Sequence, residues 1–290
     1  MTDKWARWVL GGRDGSDPGE TERMRTLLEP IRDRVISAAA IGSGDVVLDV
    51  GAGDGLIAFE AIRHVGDDGL VIFSDISEVL LTRCRNTAAE RGIESRCRFV
   101  RASADDLSPI GDASVDVVTT RSVLVYVRDK AGAFAEFFRV LRPRGRLSIF
   151  EPINTFAKPE PEHLLWGYDV TPVRDLASRV RAVYQRLQPP GIDPMLDFDE
   201  RDLLRLARET GFDDVSLTYE AEIARRPVAR AGWEVFARSA PNPSAPSPLE
   251  AIDEALSAAE AKRFVDHLRA LVDRRDGVTR MATAYLRAVK

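Results

Sequence analysis

The sequence predicts an α/β fold, a doubly wound, mostly parallel seven-stranded sheet with N-terminal helices and helical insertions. Three observations predict it. From Asp45 to Glu151, short apolar runs alternate with helical stretches. The first run, DVVLDV, is apolar on both faces, as in a strand buried inside a parallel sheet. That run then leads straight into VGAGDGL, glycines at alternate positions followed by a helical pattern, the junction at which open α/β sheets bind ligands.

In chain order, DKWARWVLGG places Trp5, Trp8 and Val9 on one helical face before a glycine pair stops it. In GETERMRTLLEPIRDRVISAAAI, Met24, Leu28, Ile31 and Val35 recur at helical spacing. Residues 1–44 thus read as a helical cap. The strand DVVLDV is followed by the helix LIAFEAIRHV and the strand GLVIFSD. The helix SEVLLTRCRNTAAERG follows, with Ser77 as N-cap and Gly92 as its stop. Strands RCRFVRAS and SVDVVTT come next, then the helix DKAGAFAEFFRVL, the turn RPRG and the strand RLSIFEP. Beyond Glu151 the period breaks. Pro152, Pro159, Pro161, Pro172, Pro189, Pro190 and Pro194 surround the helical VRDLASRVRAVYQRL. Alternation resumes in the helix ERDLLRLARETG and the strand DDVSLTYEAEI. GWEVFARS, the loop APNPSAPSP and one helical run, LEAIDEALSAAEAKRFVDHLRALV, precede the final strand RMATAYLRAVK. That strand has a sheet to join only if it returns to the first one. One domain is therefore expected over 45–290, with pocket-forming insertions at about 152–198 and 223–280.

Composition narrows the class. Hydrophobic residues at 44% and charged residues at 30% describe a soluble globular chain. A net charge of −5 argues against a nucleic-acid partner, which draws a basic face. The two cysteines, Cys84 and Cys97, lie in a helix and a strand without metal-ligand spacing, so no metal site is expected. No leader and no apolar run of about 18 residues occurs. Cytoplasmic location without a membrane partner is the default; a homodimer is allowed.

A backbone stripped of side chains serves a ligand that comes close. Dinucleotide loops need G-x-G-x-x-G, whereas here Gly51, Gly53 and Gly55 alternate and Leu56 stands where the third glycine would be. Asp49, at the strand end and read as aimed at the ligand, suits an ammonium and a sulfonium and repels a pyrophosphate. D-x-G-x-G-x-G resembles the first signature of class I S-adenosylmethionine-dependent methyltransferases, and of their small-molecule type related to the ubiquinone/menaquinone group. The resemblance implies S-adenosylmethionine as cofactor, held by Asp49, Gly51, Ala52 and Gly53. Asp75 in FSDIS stands where the family places its ribose acid, roughly 20 residues past the glycines, and the resemblance makes Ile76 an adenine-packing residue. RASADDLSP is similar to the family's D-A-x-x-L-P. Ser103 takes the usual Asp position before Ala104 and Asp105, so either Ser103 or Asp105 reads the adenine amino group. RVLRPRGRL matches the family's helix–turn–strand.

Methyl transfer needs donor and acceptor in line and water excluded, with a base only where the acceptor carries a proton. Arg121 and Ser122, after the fourth strand, stand where a methionine or substrate carboxylate is clamped. His163, the one histidine of three in a substrate-type segment, and Glu151 are the base candidates, with Tyr168 beside them in EPINTFAKPEPEHLLWGYD. Trp166, Tyr168 and Tyr184 offer aromatic surface for a small-molecule substrate. Two thiols do not suit arsenite chemistry, no acidic cluster suits a catechol-type metal, and TTRSV lacks the Asn/Asp-Pro-Pro-aromatic site of nucleic-acid enzymes. The expected function is transfer of a methyl group to carbon or oxygen of an apolar or aromatic metabolite, as in secondary metabolism or quinone pathways. A nicotinamide-dependent oxidoreductase and a non-catalytic cofactor-holding module are the alternatives.

Overall fold

The computed structural model describes residues 3–189, 191–225 and 232–290; Pro190 and part of the 223–280 insertion lie outside them. The strands are β1 (Val46–Val50), β2 (Leu70–Asp75), β3 (Cys97–Arg101), β4 (Val115–Arg121), β5 (Leu141–Pro152), β6 (Leu164–Leu165), β7 (Tyr168–Asp169), β8 (Asp213–Ala224) and β9 (Thr279–Val289). The helices are α1 (Lys4–Arg7), α2 (Pro18–Ala39), α3 (Leu56–Ala61), α4 (Glu78–Glu90), α5 (Lys130–Val140), α6 (Arg174–Leu187), α7 (Glu200–Thr210), α8 (Gly232–Arg238), α9 (Pro248–Ala255) and α10 (Ala258–Asp273). Two compact units result. One joins Met1–Thr26, Asn154–Asp197 and Ala221–Ala282; the other joins Leu27–Ile153, Phe198–Glu220 and Thr283–Lys290.

The second unit is built on the sheet. Among the described residues its seven strands run in the order β3-β2-β1-β4-β5-β9-β8. β1 to β5 are parallel, and β9 enters antiparallel beside β5 with Ile149 opposite Leu286. The last strand does return to the first sheet. Val50 pairs in register with both Ser74 and Thr120, so β1, β2 and β4 end level and their following loops share one edge. Val47, Val71, Phe73 and Val117 pack on one side against Val35 of α2 and Ile57 and Ala58 of α3. Local signals place the helices: the Ser77 hydroxyl accepts the Leu80 N–H at 3.1 Å and Gly92 closes the helix end at φ +67°. Asp199 and Asp202 form a capping box on α7, which ends at Gly211 with φ +108°.

The first unit has a core of its own, where Val180 and Val183 of α6 meet Phe236 of α8, Ile252 of α9 and Phe264 and Leu268 of α10. The glycine pair does end the first helix, whose last turn widens to a π-turn over Trp8–Gly12 with Gly11 out of helical backbone. Two expectations are corrected by local chemistry. The run 249–272 is two helices: Ser257 and Glu260 form a capping box that starts α10 afresh. β5 starts earlier than RLSIFEP, because RPRG loops out where the β4–β5 register jumps, and Arg144 donates its N–H to the Lys290 carbonyl. Among the described residues, no helix is long and apolar enough to cross a membrane.

Candidate active site

The β1–α3 loop sets the site. Gly51, Gly53 and Gly55 all have left-handed φ, of +68°, +57° and +87°, a conformation that side chains resist. Packing demands two of them as well. A Cβ on Gly51 would lie 2.3 Å from Val123 Cγ2, and one on Gly55 would lie 2.4 Å from the Phe59 ring. Gly53 differs, since the nearest atom its Cβ would meet is the Gly51 carbonyl at 3.9 Å. The middle glycine therefore faces open space, as a backbone approached by a ligand must. Ala52 donates its N–H to the Ser74 carbonyl at 2.9 Å, and Gly53 donates to Asp75 Oδ2 at 2.9 Å. Asp75 Oδ1 accepts the Ser77 N–H at 2.8 Å. The Asp75 carboxylate thus pins the glycine loop to the residue that caps α4.

Asp49 is braced within the fold. Only 2% exposed, it accepts the Ala58 N–H of α3 at 3.1 Å on Oδ2 and the Thr119 hydroxyl at 2.8 Å on Oδ1. Burial raises its pKa to about 7, opposed by the Thr119 and Ala58 bonds and by the Arg121 charge. It ties the start of α3 to β1 and β4, and near neutral pH it is only partly charged.

Beyond β2, Ile76 is 42% exposed next to the loop, and its carbonyl accepts from Arg101 Nε at 3.2 Å. The β3 loop is bound to the same edge: Ala102 donates to the Asp75 carbonyl at 3.2 Å. Ala104 is buried, and Ser103 Oγ donates to Asp105 Oδ1. The two adenine-reading candidates thus act as one hydroxyl–carboxylate pair.

After β4, Arg121 is partly buried, and its charge acts on both Asp49 and Glu151. Ser122 adopts φ +56° and donates its N–H to the Phe150 carbonyl at 2.8 Å. Glu151 is wholly buried. Its Oε1 accepts the N–H groups of Val123 at 2.8 Å and Leu124 at 2.9 Å, and its Oε2 that of Val125 at 3.1 Å. Burial lifts its pKa to about 7 against those three bonds and Arg121. Glu151 is therefore a clamp on the loop whose Val123 rests against Gly51. Its basic lone pairs are spent on backbone donors.

The sheet unit brings Asp49, the glycine loop, Asp75, Ile76, Ser103, Ala104, Asp105, Arg121, Ser122 and Glu151 to the carboxyl edge of β1–β5. His163 and Tyr168 belong to the other unit. His163 is exposed, and its carbonyl accepts the Val170 N–H at 2.8 Å. Tyr168 is 3% exposed, edge-on to Phe236 with ring centroids 5.6 Å apart. Tyr168 thus sits as a core residue. Sequence reasoning missed Val123 and Thr119, which brace Gly51 and Asp49. The place of Val123 directly after Arg121 and Ser122 was its only hint, and Thr119, inside β4, had none.

A cradle of this form, with an acid at the end of the second strand and an open middle glycine, defines a nucleoside-cofactor site on a parallel α/β sheet. A family model described as a methyltransferase domain matches residues 41–173. The ubiquinone/menaquinone biosynthesis C-methyltransferase UbiE of Marinomonas sp. (strain MWYL1) is 39% identical over 46% of this chain and 51% of its own length. The UbiE protein of Proteus mirabilis (strain HI4320) is 32% identical over 63% of this chain and 72% of its own. The chain spans about half the length of the first curated relatives it matches. Among solved structures, the YcgJ protein of Bacillus subtilis superposes with a TM-score of 0.54 at 17% identity, covering 89% of this chain and 97% of that one. The chain belongs to the class I S-adenosylmethionine-dependent methyltransferases and is related to UbiE. S-adenosylmethionine is its cofactor, and the open space over Gly53, with the Asp75 carboxylate bonded beside it, fits that group.

Proposed function

We propose that the chain transfers the methyl group of S-adenosylmethionine to carbon or oxygen of a small, apolar or aromatic metabolite in the cytoplasm. The observation that carries this reading is the Gly53–Asp75 bond beneath an open approach to the middle glycine. Asp75 takes the ribose hydroxyls, and Ile76 offers the apolar face for the adenine beside the Ser103–Asp105 pair. Arg121, with Ser122, faces the cofactor carboxylate. When bound, the cofactor supplies an already activated methyl group, so the chain's part is orientation and exclusion of water. A phenolate or enolate acceptor needs no base, which suits a site whose acids are committed to backbone donors. The UbiE relatives are named C-methyltransferases of ubiquinone and menaquinone biosynthesis, which favours carbon and a quinone-like acceptor.

The test is incubation with methyl-labelled cofactor and a panel of phenols, naphthols, demethylated quinols and fractionated cell extract. Label is expected in an organic-extractable product heavier than its acceptor by one CH2 group. Cofactor binding with no label leaving it in any fraction would contradict the reading in favour of a holding module.

A further inference from the structure

The unit containing Asn154–Asp197 and Ala221–Ala282 holds a cavity of about 240 Å³, walled by Trp166, Tyr168 and Phe236 and bordered by Lys158, Glu160 and Arg280. Its size falls below the ~300 Å³ at which drug-sized pockets begin, so it suits one ring or a fused pair. The aromatic wall is rigid: Trp166 and Tyr168 both stand edge-on to Phe236, at 5.8 and 5.6 Å between centroids. Trp166 is held at φ +55°, which a bulky residue adopts only under constraint. Glu160 supplies the constraint, accepting the Trp166 N–H at 3.2 Å and the Gly167 N–H at 2.7 Å. Gly167 then accepts the Val278 N–H at 2.7 Å, and a Cβ on Gly167 would strike the Val278 carbonyl at 2.3 Å.

The charges around the cavity do not cancel. Lys158 pairs with Glu160 at 3.4 Å. Arg280 makes no ion pair among the described residues. Its guanidinium carbon lies 5.8 Å from the Phe156 ring. A guanidinium that lines the cavity without an ion pair offers its planar fork, which matches a carboxylate.

We propose that this cavity binds a small aromatic carboxylate, its ring against Trp166 and Phe236 and its carboxylate on Arg280. The site uses residues of this unit alone and none of the glycine loop. Calorimetric titration of the full chain with 2-naphthoate and with its neutral amide, 2-naphthamide, tests it. Naphthoate is expected to bind one per chain, with the amide at least ~10-fold weaker, as loss of a charge-assisted bond implies. Arg280→Met should weaken naphthoate by a similar factor, and Arg280→Lys should restore part of it. Arg269→Met, which removes an exposed surface charge paired with Glu234, should change nothing. S-adenosylmethionine affinity should be the same in all four proteins, which separates this test from that of the methyl-transfer reading. No saturable naphthoate binding, equal affinity for acid and amide, or full affinity in Arg280→Met would each overturn the proposal.

Discussion

At the residue scale, three acids at strand ends do three different things because they meet different donors. Asp75 ties the glycine loop to the cap of α4, Asp49 ties α3 to Thr119 of β4, and Glu151 holds three successive N–H groups. Glu151→Gln puts an amide donor against backbone donors. It is expected to cost about 1–3 kcal/mol of stability and, by releasing Val123 from Gly51, to weaken cofactor binding; urea unfolding and a cofactor titration check both. The folded pKa of Asp49 is about 7, above its unfolded value. Its contribution is therefore full at pH values below the unfolded pKa and is lost as pH rises through about 7. The stability difference between wild type and Asp49→Asn should fall over that window by on the order of a few kcal/mol. A difference flat with pH would contradict the burial of that carboxylate. Residue identity in the motif was legible, but the partners of Asp49 were not, since they are Thr119 on another strand and a helix N–H. Ser103, read as an alternative to Asp105, turned out to be its donor.

At the element scale, the glycine loop carries the sharpest contrast. Gly51→Ala adds a left-handed side chain, roughly 1–2 kcal/mol, and a collision with Val123. It should lose both stability and cofactor binding, with stability partly regained in Gly51→Ala/Val123→Ala. Gly53→Ala meets no protein atom closer than 3.9 Å, so it should fold with only the backbone penalty yet bind cofactor much more weakly. If Gly53→Ala binds as wild type does, as read by titration beside a thermal melt, no ligand approaches that glycine. The strands and helices between Asp45 and Glu151 were legible because apolar runs and caps agree there. The break between α9 and α10 was also written in the chain, as S-A-A-E, but the helical period across it masked the restart. The early start of β5 was not legible, because RPRG reads as a turn and its pairing with Lys290 is a long-range event.

At the scale of the whole molecule, β9 lies between β5 and β8, so residues 283–290 hold two strands apart in sequence to one sheet. Removing them should strip β5 of its antiparallel neighbour and abolish cooperative unfolding of the sheet unit, as read by denaturation with circular dichroism. A truncated chain with an unchanged transition would contradict the strand order. The seven-stranded sheet was foreseeable from alternation plus a final strand in need of a partner. The separate core of the other unit was not, because Val180, Phe236 and Phe264 come from segments divided by prolines and loops. The most direct test of the central claim is calorimetry on wild type, Asp75→Ala and His163→Ala with S-adenosylmethionine, and on wild type with NAD. The account predicts one S-adenosylmethionine per chain, affinity reduced at least ~10-fold (about 1.4 kcal/mol) in Asp75→Ala and unchanged in His163→Ala, and no NAD binding. NAD seated in the loop, or equal affinity in wild type and Asp75→Ala, would contradict it.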